Sequence, residues 1–184
     1  MDSIRLMNNQ KAVKTTISPI NRFVWSKVFS KKIIGNIRFD TSIHFGEDTL
    51  FAALVMDKAN RVFYLSKPLY HYFQSQNSAT RIAFNPRVFT GVEAYRQLVE
   101  LCNLKYPLII DIAQTAYKNI ILNTIIILLN NPDYIYFRRT KKKLINEFRK
   151  GLPTLLVSKR VSFRIKMKFA LGLLSPKLIM KRRN

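Results

Sequence analysis

The spacing of apolar positions changes character partway along the chain. From Ser18 to Lys32, SPINRFVWSKVFSKK sets Ile20, Phe23, Val24 and Phe29 among Arg and Lys, which predicts a short amphipathic helix or turn leading into a loop. Residues 33–45, IIGNIRFDTSIHF, hold Ile37, Phe39, Ile43 and Phe45 in near alternation around turn-forming residues, so short extended pieces are expected there. Next, Leu50, Phe51, Leu54 and Val55 recur at helical spacing over Thr49 to Ala59, with Asp48 standing where an N-cap belongs. RVFYLSKPLYHYF then reads as a strand, a break at Pro68 and a second extended, aromatic stretch.

Beyond Asn85 the period becomes helical throughout. Pro86 to Cys102, Tyr106 to Asn130, Arg138 to Lys150 and Val161 to Met180 read as helices separated by Pro107, Pro132, Gly151 and Pro153. The expectation is an α/β part built on short strands over residues 1–84, followed by an α-helical extension over residues 85–184. No internal repeat or low-complexity segment is present, which argues against a solenoid.

Composition sharpens this outline in two respects. With 48% hydrophobic and 12% aromatic residues the chain can build a core, so disorder is not expected. The charge is the unusual quantity, since 32 Lys and Arg face 10 Asp and Glu for a net +22. Residues 138–184 hold 16 of the basic residues and one acidic one. RRTKKK at 138–143, RVSFRIKMKF at 160–169 and KRR at 181–183 predict contact with phosphate-bearing surfaces. Val161 to Met180 mixes apolar and cationic residues as an interfacial helix does. A lone Cys102 excludes an internal disulfide framework and fits a reducing compartment. The start lacks an apolar signal core, and no run of ~18 apolar residues is evident.

Glu47 and Asp48 follow Gly46 and precede a helix, where first-turn amides favour an ionised carboxylate. Such a group caps the helix or serves as a general base, and the pair alone leaves both open. The order of surrounding segments adds to it: VWSKVF at 24–29, IRF at 37–39, GEDTLF at 46–51, PLYHYF at 68–73 and NSAT at 77–80. This series resembles the second half of the bacterial family 2 glycosyltransferases that assemble capsule, exopolysaccharide and lipopolysaccharide, over about residues 20–82.

That resemblance implies a partial acceptor-side subdomain of the GT-A type. It makes Asp48 the base that deprotonates a hydroxyl of a glycan or lipid-linked acceptor, with inversion at the donor's anomeric carbon. Glu47, Trp25 and Lys27 would line the acceptor pocket, and His71 would reach it from between Tyr70 and Tyr72. The complete family also implies a nucleotide-sugar and a divalent metal, Mg or Mn, held by a donor-binding half with an Asp-x-Asp that does not precede Trp25 here. The expected chain is thus an acceptor-side half, inactive alone, arising by truncation, as part of a split enzyme with a separate donor-binding chain, or as a binding module. Gln74 and Asp40 depart from the family's usual Arg and Pro. Residues 138–184 would seat the protein on the anionic cytoplasmic face of the cell membrane, and no nucleic-acid motif is recognisable. The alternative is a non-catalytic basic protein that binds anionic membrane or nucleic acid.

Overall fold

The computed structural model describes residues 4–19, 21–73 and 84–179 and divides into two units, Met1–Ile109 and Ile110–Asn184. Helix dominates, at 67% against 5% strand, and the described residues contain eight helices and one two-stranded sheet. The expected α/β architecture of the GT-A type is therefore incorrect for this chain. The alternating residues of 33–45 do not enter a ladder: Lys31–Ile34 forms helix α2, and turns follow it. Phe39 instead stacks on Phe51 at 4.2 Å between ring centroids, and Ile43 is buried. Their apolar faces meet a helix, so the period of two reports packing rather than strand pairing. Residues 68–73 likewise lack a strand partner.

In the first unit, β1 (Ile4–Met7) pairs antiparallel with β2 (Val62–Leu65), Ile4 opposite Leu65 and Met7 opposite Val62. Helix α1 (Asn9–Ile17) starts where the Asn8 side chain accepts a hydrogen bond from the Lys11 amide. It buries Ala12, Val13, Thr16 and Ile17 along one face, which packs on α3 (Glu47–Lys58). Asn9 Nδ2 donates to the carbonyls of Met56 and Asp57, satisfying acceptors that the end of α3 leaves free. Thr49, Leu50, Phe51, Ala52, Ala53 and Val55 are all buried, so α3 is enclosed on several sides, with α4 (Thr90–Lys105) covering another. At its far end Asp57 accepts hydrogen bonds from Lys105 Nζ at 2.6 Å and the Tyr106 hydroxyl at 2.8 Å.

In the second unit, α5 (Ile110–Leu129) is the central helix and packs against α6 (Arg138–Arg149) and α7 (Leu152–Val157). Pro153 sits in the first turn of α7, where its missing N–H removes nothing, so it begins that helix rather than separating others. α8 (Phe163–Leu174) completes the unit, with Phe169 edge-on to Phe148 of α6. By length and composition alone the helix over residues 107–129 is long and apolar enough to cross a membrane, with mean hydropathy 1.4 over the best window, although no uninterrupted run of ~18 apolar residues occurs in it. Gln114, Lys118 and Asn119 interrupt the run without lowering its average below a spanning segment's. Here Ala113, Tyr117, Lys118, Ile121, Leu122, Thr124, Ile125 and Leu128 are buried, as in a core helix.

Candidate functional site

The site is assembled around the start of α3. Gly46, not Asp48, occupies the N-cap position, with φ at +79°, and no side chain caps the helix. This corrects the capping role expected of Asp48. A left-handed residue turns the chain into the helix, and a Cβ at Gly46 would stand 3.1 Å from the Tyr95 ring and 3.2 Å from the Ala94 methyl. The tight turn leaves Glu47 and Asp48 in the first helical turn, both half-buried, where the helix dipole favours their charge.

Asp48 Oδ2 accepts a hydrogen bond from the Val24 amide at 3.3 Å. That amide begins a 3-10 turn, Val24–Ser26, so the carboxylate anchors the segment that carries Trp25. Lys27 closes the same segment: its Nζ donates to the carbonyls of Asn21 and Phe23, the latter at 2.6 Å. Burial pushes the Lys27 ammonium below its ordinary pKa, and the Asp48 carboxylate works against that shift. Lys27 thus shapes the turn, with two of its three donors engaged by backbone.

Three further aromatics hold this segment and the helix together. Phe39 lies face to face on Phe51, and Phe29 meets Phe51 edge-on at 5.8 Å. VWSKVF, IRF and GEDTLF each contribute one ring to this cluster, which explains physically why the three segments occur together.

Trp25 is 37% exposed and stacks on Tyr70 at 4.8 Å, on Tyr72 at 5.2 Å and on Phe23 at 5.2 Å. Arg22 lies over the Phe23 ring at 5.0 Å. The result is an aromatic platform beside a carboxylate, with Tyr70 and Tyr72 themselves exposed. Elsewhere in this unit a hollow of about 400 Å³ is lined by Asn8, Gln10, Lys11, Lys14, Leu108 and Ile109.

Of the residues expected at the site, Asp48, Trp25 and Lys27 come together, and Glu47 stands next to Asp48 on α3. His71 is exposed and takes no part in the stacking, which falls to its neighbours Tyr70 and Tyr72. Alternation in PLYHYF puts those two tyrosines on one face, the signal by which they could have been chosen. The main-chain amide of Val24 and the ring of Phe23 carry no such signal. Gln74 and the NSAT segment lie outside the described residues.

No group of three or more His, Cys, Asp or Glu side chains able to hold a metal ion occurs among the described residues. In general, an ionised carboxylate can accept a proton and aromatic rings can stack on apolar C–H faces. Comparison with known protein families, with curated proteins and with solved structures finds no match to this chain.

Proposed function

We propose that the first unit is the acceptor-side part of a family 2-like sugar-transferring enzyme, with Asp48 as the general base. The observation that carries this reading is the position of the Trp25–Tyr70–Tyr72 platform on a turn whose first amide is bound by Asp48 itself. A sugar ring has apolar C–H faces that stack on indole and phenol rings and a hydroxyl rim that needs polar partners. In this reading a sugar ring sits on the exposed Tyr70 and Tyr72 of the stack and presents a hydroxyl to Asp48. Asp48 takes that hydroxyl's proton as the oxygen forms its bond to the anomeric carbon of a nucleotide-sugar, and the bond from that carbon to the nucleotide's phosphate oxygen breaks on the opposite side. The anomeric centre inverts, and the proton passes from the carboxyl to water. Positioned proton transfer of this kind contributes roughly 10²–10⁴-fold. Glu47, in the same first turn, supplies a second acceptor for the rim hydroxyls.

Trp25 is the single tryptophan of the chain, so intrinsic emission reports on this site alone. Titration with short glycans should change that emission, and Tyr72→Ala should weaken the response. With a donor-binding half of a family 2 enzyme supplied as a separate chain, labelled nucleotide-sugars and the responding glycan should yield transferred product that Asp48→Asn reduces by about 10²-fold or more without loosening the fold. An emission spectrum indifferent to every glycan, or transfer untouched by Asp48→Asn, would refute the assignment.

A further inference from the structure

In the second unit, α8 is apolar on two faces, and the unit's own packing uses only one. Phe169 and Gly172 are buried, and Gly172 lies so close to α5 that an added Cβ would stand 2.9 Å from Leu122 Cδ1. On the opposite side Phe163, Met167, Ala170 and Leu174 recur at i, i+4, i+7 and i+11, one continuous stripe of a 3.6-residue helix. Phe163 is 75% exposed, Met167 45% and Leu174 79%. At ~100° per residue, Arg164 falls on one flank of this stripe and Lys166 on the other. Where α8 ends, a shallow hollow of about 140 Å³ lies between its packed side and Leu174 of the stripe, with Gly172, Phe148 and the cation Arg149 among its walls.

We propose that this face of α8 docks on an anionic lipid bilayer, lying in the interface with Phe163, Met167 and Leu174 among the upper acyl chains. Arg164 and Lys166 reach the headgroup phosphates on either side. The charge around the stripe selects this occupant. From residue 138 onward the chain holds 16 basic residues and one acidic one, Glu147, so a second copy would press two strongly cationic surfaces together. A nucleic acid would satisfy the cations but leave the apolar centre of the stripe against a hydrated phosphate backbone. Only a surface that is anionic outside and apolar within matches both chemistries. The inference is independent of the sugar-transfer reading, since none of its residues belongs to the Trp25 cluster.

Co-sedimentation with vesicles of equal parts phosphatidylglycerol and phosphatidylcholine tests it, against vesicles of phosphatidylcholine alone. The protein should bind the anionic vesicles and bind the neutral ones at least about tenfold more weakly. The triple change Phe163→Ser, Met167→Ser and Leu174→Ser should lower binding to anionic vesicles by about tenfold or more. Arg164→Glu with Lys166→Glu should lower the preference for anionic lipid severalfold. As a second measurement, Phe163→Trp in a Trp25→Phe background places one indole on the stripe, and its emission should shift to the blue on anionic vesicles. The proposal is overturned if the serine variant binds vesicles as the parent does, or if that indole's emission stays unshifted at saturating lipid. It is equally overturned if the parent is a dimer that the serine variant splits, or if the stripe is needed for duplex DNA binding instead.

Discussion

Asp48 owes its position to a residue that carries no side chain. Gly46 supplies the left-handed turn that starts α3, and its α-hydrogen faces Tyr95 and Ala94 of α4 at distances no Cβ tolerates easily. Gly46→Ala therefore meets two penalties, about 1–2 kcal/mol for the left-handed backbone and a further contact with a buried ring. A loss of about 2–4 kcal/mol in unfolding free energy is expected from denaturant titration, together with altered Trp25 emission, because a shifted Asp48 releases the Val24 amide. Unchanged emission in a variant of parental stability would show that Gly46 does not set the site. The motif residues Asp48, Trp25 and Lys27 are legible in the chain because their order and spacing are local. What Lys27 does is not legible: its ammonium is engaged by the carbonyls of Asn21 and Phe23, and only the folded turn brings those acceptors to it.

At the scale of elements, helices α4, α5, α6 and α8 follow from the 3.6-residue period alone, since each is long enough for the pattern to repeat. β1 and α1 are hidden because four residues of strand and a polar nine-residue helix hold too few apolar positions to show a period. The alternation in 33–45 misleads for a tertiary reason, since its rings pack on Phe51 rather than entering a sheet. A similar tertiary effect decides the charge inside α5. Lys118 is buried, donates from Nζ to the Glu147 carbonyl at 2.6 Å and so satisfies an acceptor in the last turn of α6. Burial lowers its pKa below the ordinary 10.5, with Glu147 opposing that shift and Lys150 adding to it. Between the lowered native value and 10.5 the unfolded chain binds more protons than the native one, so Lys118 makes stability rise with pH across that window. Lys118→Met should lower stability at neutral pH by about 1–3 kcal/mol, the cost of an unpaired buried carbonyl. It should also remove the alkaline rise, so the gap between parent and variant widens as pH climbs towards 10.5. Urea titrations at neutral and alkaline pH give both quantities, and parallel pH profiles would contradict the assignment.

Over the whole molecule, 32 cations against 10 anions make self-repulsion the dominant long-range electrostatic effect. Ion pairs among the described residues, such as Arg96 with Glu93 and Glu100, Lys105 with Asp57, and Lys150 with Glu147, are short-ranged and mostly exposed. Each contributes on the order of 0.2–1 kcal/mol, and salt weakens them only modestly. The repulsion acts over distances comparable with the Debye length, about 10 Å at 0.1 M salt, so added salt removes far more of it than of the pairs. The thermal midpoint should therefore rise with sodium chloride, by several degrees if about 1–2 kcal/mol of repulsion is screened. Binding to anionic vesicles should respond in the opposite sense, because the cations that repel one another are those that reach the headgroups. Salt that tightens the fold and loosens the protein from vesicles identifies one set of charges acting in both. A midpoint that falls steadily with salt would mean that the few ion pairs, rather than the excess of lysine and arginine, govern the stability of this chain.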